Sequence, residues 1–241
     1  LCHMRLIAID LDDTLMWCKQ DYDYAKQQFS VYMAETHGVD PAYALEQVQA
    51  VSLNNVEQFG VSMQRFPASF VETYRLLTGE SDPMEESQLY GMGATVFKTE
   101  AEYAERGLLD GAEELLQLLV DHGFELHLIT AGDSRIQQLK IDGLGLSPYF
   151  EETHIVPHST KDDRLRRIMQ ARDFRPENTF MIGNSLSSDI VPAVEVGARA
   201  VFLPTGDWLP TDDLERYQAH DQVFVYETLQ SLMSDSPDLF N

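Results

Sequence analysis

Cysteine is almost missing from this chain: there are two, Cys2 and Cys18. Cys2 sits in Leu1-Cys2-His3 ahead of Met4, a stretch that reads as an expression-vector remnant, which leaves Cys18 as the native thiol. One cysteine makes no internal disulfide, so a reducing compartment and a cytoplasmic location are expected. Basic residues are scarce as well, 17 Lys and Arg against 40 Asp and Glu, for a net charge of −23. That field repels polyanions, and nucleic acid is not an expected partner. Any phosphate group must therefore meet positive potential made locally, by a metal ion, a lysine or helix N-termini. No apolar run approaches the roughly 20 residues of a membrane span. The first such run, Leu6 to Ile9, is also too short for a signal peptide, so no membrane partner is expected. There is no internal repeat or low-complexity tract. What remains, 241 residues at 44% hydrophobic and 24% charged, is the composition of a globular chain with one large or two smaller domains.

Two grammars divide the sequence. Arg5 to Ile9 reads as a short buried strand, stopped by Asp10-Leu11-Asp12-Asp13-Thr14. From Trp17 to about residue 105 the periods are helical. Tyr22, Ala25, Phe29 and Met33 share a face, Gly38 is placed to end that helix, and Asp40-Pro41 to start the next. Further helices are predicted over Pro67 to Leu77 and Glu85 to Glu105. After Gly107 strands and helices alternate. Strands are predicted over Phe124 to Thr130, Thr153 to Val156, Thr179 to Ile182, Ala198 to Leu203 and Gln222 to Tyr226. Helices are predicted over Glu113 to Val120, Ser134 to Ile141, Lys161 to Ala171 and Asp189 to Val196. This alternation implies parallel strands with helices on both faces. Because the first strand is needed to complete that sheet, the helical block is an insertion. The expected fold is thus α/β, with a Rossmann-like, mainly parallel core of five or more strands from residues 4–16 and 106–241, interrupted by an α-helical domain over residues 17–105.

In open parallel sheets ligands bind at the carboxyl ends of the strands. Here those ends carry Asp10 and Asp12, then Thr130 followed by Ala131, then Gly183-Asn184-Ser185 with Asp189 beyond, while Lys161 opens a helix before the last of these strands. Metal-assisted phosphoryl transfer through an aspartyl intermediate wants this set. Asp10 can act as nucleophile and metal ligand together. Asp12, on the same side of an extended chain, can protonate the leaving oxygen and then take a proton from water, and its backbone carbonyl is a further ligand. Asn184 and Asp189 complete an oxygen set suited to Mg²⁺. The Thr130 hydroxyl and the Ala131 amide can donate to phosphoryl oxygens, and Lys161 can offset their charge.

With these residues in order the chain resembles the haloacid dehalogenase superfamily of Mg²⁺-dependent phosphohydrolases. Asp10-Leu11-Asp12-Asp13-Thr14-Leu15 after an apolar strand is similar to that family's DxDx(T/V) motif. Thr130 and Lys161 match the second and third motifs, and Gly183-Asn184-Ser185-Leu186-Ser187-Ser188-Asp189 is similar to its GDxxxxD pattern. The resemblance implies that the inserted helices are a C1-type cap that closes over the site and selects a small phosphorylated metabolite. It also implies a phosphatase rather than a dehalogenase, because the family's dehalogenases lack the second acid. One position departs: Asn184 stands where the family usually has a metal-binding aspartate. At an effective dielectric near 20, two unit charges about 4 Å apart interact by roughly 4 kcal/mol. Losing one charge, partly offset by a lower desolvation cost, leads us to expect weaker metal binding rather than a dead site. A phosphomutase using the same aspartyl phosphate, and a weakly catalytic phosphate-binding protein, are the alternatives. Oligomeric state and the particular substrate are left open.

The remaining features read as structural. His154 and His158 lack the partners of a zinc site, although His158 lies near Lys161. Gly91-Met92-Gly93 has no preceding strand and so is not a nucleotide loop. Phe29, Met33, Phe59, Met63, Phe66 and Phe70 are expected to form the core of the helical insertion. Arg65, Arg75 and Arg106 are its cationic candidates for a second anionic group of the substrate.

Overall fold

A computed structural model describes residues 5–204, 215, 217 and 219–235. The stretch read as a vector remnant, residues 1–3, lies outside them, as does the end of the chain from residue 236. Six strands form one parallel sheet: β1 (Leu6–Ile9), β2 (Glu125–Ala131), β3 (Glu152–Val156), β4 (Thr179–Gly183), β5 (Arg199–Phe202) and β6 (Val223–Val225), in the order β3-β2-β1-β4-β5-β6. The chain starts in the middle, moves outward through β2 and β3, and returns to the other side of β1 with β4. The switch in direction between β1 and β4 opens the crevice where such sheets bind ligands. Ile9 is in register with Leu128 on one side and Ile182 on the other, so the residues that follow β1 and β4 leave the sheet at the same level.

β1 reads Leu-Ile-Ala-Ile without a polar break because both its faces are covered. Ile7 and Ile9 pack with Leu115, Leu116 and Leu119 of α6 (Ala112–Asp121), Ile141 of α7 (Ser134–Gly143) and Leu229 and Leu232 of α10 (Leu229–Asp235). Leu6 and Ala8 face the other way, toward Leu165, Ile168 and Met169 of α8 (Lys161–Arg172) and Ala193 of α9 (Val191–Glu195).

The chain divides into two compact units, Cys18–Thr99 and the remainder. The first is helical throughout: α1 (Lys19–His37), α2 (Pro41–Phe59), α3 (Arg65–Thr78) and α4 (Pro83–Ala94). Gly38 ends α1 in the left-handed conformation, φ 66°, and the Asp40 carboxylate caps α2 by accepting from the Tyr43 amide. Phe29, Met33, Phe66 and Phe70 form its core with Tyr74 and Leu89. Phe59 does not join them; it is 69% exposed, and Met63 is only half-buried. The interface of α2 with α3 turns polar before it reaches them: Asn55 donates to Ser69 and Glu72, and Arg65 to the Ser52 carbonyl.

Two helix readings needed correction. The helix expected over Glu85 to Glu105 is α4 and a separate α5 (Glu100–Arg106). It breaks at Thr95-Val96, where the Thr95 hydroxyl bonds the Met92 carbonyl and Val96 turns into the core of the helical unit. α5 belongs with the sheet: Tyr103 is buried in its core, and Gly143 of α7 lies so near that a Cβ there would sit 2.5 Å from the Glu100 carbonyl oxygen. The sequence reading instead ended the helical insertion at residue 105. The helix expected from Asp189 begins earlier as a wide π turn, Leu186–Ile190, whose Asp189 and Ile190 amides both donate to the Ser185 carbonyl. Among the described residues no helix is long and apolar enough to cross a membrane.

Candidate active site

Asp10 continues β1 by one bond, donating its amide to the Ile182 carbonyl at 2.9 Å. The chain then folds back on itself. Thr14, Leu15 and Met16 donate their amides to the Leu11 carbonyl, Asp13 donates to Met16 with φ 58°, and Leu11, Leu15 and Met16 anchor the knuckle in the core. Both acids therefore project from a backbone fixed by apolar burial.

Three segments converge on Asp10. The Lys161 ammonium, at the first turn of α8, donates to Asp10 Oδ1 at 2.5 Å and to Asp189 Oδ1 at 2.6 Å, and all three groups are buried. Asp189 Oδ2 accepts from the Ser185 amide at 2.9 Å, so Asp189 ties Lys161 to the loop after β4. Gly183 is required for this arrangement, because a Cβ there would lie 2.4 Å from the Asp189 carboxylate. On the other side, the Thr14 hydroxyl lies 3.4 Å from Asp10 Oδ2 and 3.3 Å from Asn184 Oδ1, which sets the Asn184 amide oxygen beside the second oxygen of Asp10.

Asp12 has different partners. Lys140 Nζ donates to its Oδ1 at 2.7 Å and Oδ2 at 2.9 Å, and Gln137 Nε2 donates to Oδ2 at 3.1 Å and to the Thr130 hydroxyl oxygen at 2.5 Å. Ala131 ends β2 opposite Val156. The next amide, that of Gly132, donates to the Val156 carbonyl, so the Ala131 amide faces the β1 side, as successive amides of a strand do. Thr14, Gln137 and Lys140 were not assigned roles from the sequence. The signal was there in α7, where polar Gln137 and Lys140 occupy the same buried stripe as Ile136 and Ile141. His158 is exposed. Of the three arginines, Arg75 pairs with Glu86, Arg65 donates to Ser52 and Arg106 to the Trp17 carbonyl.

Burial dominates the electrostatics at Asp10. Burial and the neighbouring Asp189 carboxylate push the Asp10 carboxyl up to about 7, against the pull of Lys161. Burial also opposes the charge on Lys161, but Asp10 and Asp189 together outweigh it and hold the ammonium above its ordinary range. One cation shared between two buried carboxylates leaves one negative charge uncompensated, beside an amide oxygen and within the field of Asp12. A hard divalent cation fits this all-oxygen set.

A second polar cluster lies on the sheet away from Asp10. His127 Nε2 bonds Glu125 at 2.9 Å, His127 Nδ1 bonds His154 Nε2 at 2.9 Å, and Glu152 lies 3.7 Å from His154. His127, Glu152 and His154 are close enough to suggest a metal site, but the rings argue otherwise. They are parallel within 3° and their centroids lie 5.3 Å apart, longer than the nitrogen separation by about two ring radii. The two nitrogens thus meet head-on, whereas ligation at ~2.0–2.1 Å needs lone pairs that converge off that line. This is an N–H···N bond, with Glu125 fixing the tautomer of His127. Burial, with His127 alongside, lowers His154 to about 4. Since the unfolded chain takes up that proton near pH 6.5, stability falls as pH drops from about 6.5 to 4, by about 3 kcal/mol. His154→Gln, which keeps a donor toward His127, is expected to lose this part of the pH dependence in urea unfolding; an unchanged profile would refute the assignment.

A groove of about 710 Å³ between Gly107–Gly111, Leu144, Tyr149 and Met233 contains none of the Asp10 or Asp12 partners, and its charged lining is acidic.

Comparison with known proteins shows the family. The haloacid dehalogenase-like hydrolases match the chain over residues 4–197. Glyceraldehyde 3-phosphate phosphatase of Pyrococcus furiosus is 26% identical over 230 residues, covering 92% of this chain and 89% of the relative. Pyrimidine 5'-nucleotidase PynA of Streptococcus pneumoniae is 31% identical over 129 residues, which is 50% of this chain and about half, 52%, of that protein. Among solved structures, a haloacid dehalogenase-like family hydrolase from Xanthomonas campestris superposes with a TM-score of 0.74 at 22% identity, covering 95% of this chain and 88% of that one. A HAD phosphatase from Thermococcus onnurineus gives 0.59 at 19% identity, over 97% and 98%. At those identities the structures show a shared fold, and the matched sequence family carries the assignment. With its parallel sheet and its acid-bearing strand ends, this chain belongs to the haloacid dehalogenase-like hydrolases.

Proposed function

We propose that the chain is a Mg²⁺-dependent phosphatase that hydrolyses a small phosphomonoester through Asp10. The observation that carries this reading is the division of labour between its two acids. Asp10 is buried and bonded to Lys161, while Asp12 is a quarter exposed and bonded to Lys140. A site built for one carboxylate nucleophile and one separate proton carrier has this form. The names of the relatives, a sugar-phosphate phosphatase and a nucleotidase, support a small phosphorylated metabolite as substrate.

A carboxylate oxygen of Asp10 attacks phosphorus and the bond to the alcohol oxygen breaks, with the Asp12 carboxyl passing its proton to that oxygen. Water then gives a proton to Asp12 and attacks the aspartyl phosphate, releasing inorganic phosphate and restoring Asp10. Lys161, already on Asp10, offsets the charge of the phosphoryl oxygens. The Thr130 hydroxyl accepts from Gln137 and so keeps its proton to donate, alongside the Ala131 amide. Asp10, the Asp12 carbonyl and Asn184 would hold Mg²⁺; Asp189, expected from the sequence as a further ligand, has its two oxygens on Lys161 and the Ser185 amide instead. When bound, the ion supplies the positive charge that keeps Asp10 ionised and draws the anionic substrate into an acidic protein.

Hydrolysis of p-nitrophenyl phosphate is expected to require Mg²⁺ and to stop on chelation with EDTA. Asn184→Asp restores a negative charge and is expected to lower the half-activating Mg²⁺ concentration by about tenfold, roughly 1.4 kcal/mol. Turnover that persists in EDTA would overturn the metal assignment, and an unchanged Mg²⁺ requirement in Asn184→Asp would remove Asn184 from the ligand set.

A further inference from the structure

Gln137 and Lys140 lie three residues apart on the buried stripe of α7, beside Ile136 and Ile141. Lys140 is 3% exposed and Gln137 is 2% exposed. Ordering a lysine and a glutamine inside the protein costs conformational entropy and desolvation, which only specific partners offset. Their partners include the groups given roles above. Lys140 bonds both oxygens of Asp12, and the two hydrogens of the Gln137 amide reach Asp12 Oδ2 and the Thr130 hydroxyl oxygen. The backbone makes room for this bridge. Gly132 has no Cβ, and one placed there would come within 2.9 Å of the Gln137 side chain.

From this geometry we propose that Lys140 and Gln137 are positioning residues that hold the Asp12 carboxylate in reach of the leaving oxygen and lock its distance to the phosphoryl donor Thr130. The proposal rests on the assignment of Asp12 as proton carrier. A single side chain that bonds both the acid and a phosphoryl-binding hydroxyl fixes the spacing between the proton and the bond to be broken. Near-attack geometry is lost with displacements of about 1 Å. Lys140 adds a fork of two bonds that stops the carboxylate from rotating away. Neither residue touches the substrate: Lys140 acts through Asp12 and so on the proton transfer, while Gln137 acts through both Asp12 and the phosphoryl donor Thr130.

That predicts a dependence on the leaving group which general loosening of the fold does not share. Phenyl phosphate and p-nitrophenyl phosphate are nearly the same shape, but phenolate needs a proton to leave far more than nitrophenolate does. General acid catalysis contributes about 10²–10⁴-fold where it is needed. In the full-length protein with Mg²⁺, Lys140→Met is expected to lower kcat/KM for phenyl phosphate by about 100-fold and to lower that for p-nitrophenyl phosphate by at least tenfold less, with KM little changed. Lys140→Arg should recover most of the difference. Gly132→Ala, which displaces Gln137 without removing any functional group, also loosens Thr130, so it should lower both esters but phenyl phosphate by several-fold more, and it serves if Lys140→Met does not fold. Equal losses on the two esters, or no loss, would overturn the proposal. Asp12→Asn is the control for the reading beneath it: if that variant shows no leaving-group selectivity, the error lies with Asp12, and if it does while the Lys140 and Gly132 variants do not, the error lies with the positioning residues alone.

Discussion

Asp10→Asn is expected to abolish Mg²⁺-dependent hydrolysis, by roughly 10⁴-fold or more, while making the metal-free protein more stable. The first half follows from chemistry, because an amide has no oxygen able to form the phosphoryl ester. The second follows from the charge balance. Burial and Asp189 raise the Asp10 carboxyl to about 7, well above the range of an aspartate in an unfolded chain. A group that holds its proton more tightly when folded contributes a native-state penalty that grows as pH rises between those two values and is complete above the folded one. The asparagine carries no such penalty and leaves Lys161 in a neutral pair with Asp189. Thermal unfolding in EDTA at pH 8 should therefore show a higher midpoint for the variant, at about 2–4 °C per kcal/mol for a chain of this size, and the gap should close near pH 4. A variant that still turns over would remove Asp10 as nucleophile. One that is inactive and also less stable would show that the Lys161 bond outweighs the buried charge.

Much of the architecture was legible because burial writes itself into the sequence. β1 and β4 are covered on both faces and read as unbroken apolar runs. The helices after Gly107 announce themselves by period, and α6 and α9 also by the glycines that follow them, Gly123 and Gly197. The candidate site was legible for a related reason: a strand that ends in Asp10 rather than in a turn residue, or a helix that opens with Lys161, spends polar groups at the carboxyl edge of a parallel sheet. What escaped was what depends on contacts distant in sequence. Gln137 and Lys140 stand at helical spacing with Ile136 and Ile141, but what they bond is settled only once β2 and the Asp12 knuckle are in place, and the Glu86 partner of the half-exposed Arg75 comes from α4. His127 and His154 belong to neighbouring strands, in register positions no local pattern relates. The break before α5 was missed because the helical period barely falters there, while the cause, Val96 turning inward, is a tertiary fact.

Lys161→Met is expected to have the largest effect on stability, and the manner of its rescue separates its structural from its chemical role. The ammonium bonds Asp10 and Asp189 at once, and removing it leaves two buried carboxylates facing each other with no cation between them. Breaking a buried ion pair from one side costs about 3–5 kcal/mol, so urea unfolding of the metal-free variant should show a loss of that order. If the loss comes from stranded charge, adding Asp189→Asn should recover more than half of it. The asparagine oxygen can still accept from the Ser185 amide, and only one carboxylate then remains unpaired. The two substitutions touch the same group, so their effects should be strongly non-additive. Activity should not return in the double variant, since no cation is restored to face the phosphoryl oxygens. Recovery of stability without activity is the pattern expected of a lysine that both holds the site together and works in it. Recovery of both would reduce Lys161 to a strut, and additive losses would mean that Asp189 and Lys161 support the fold through separate contacts.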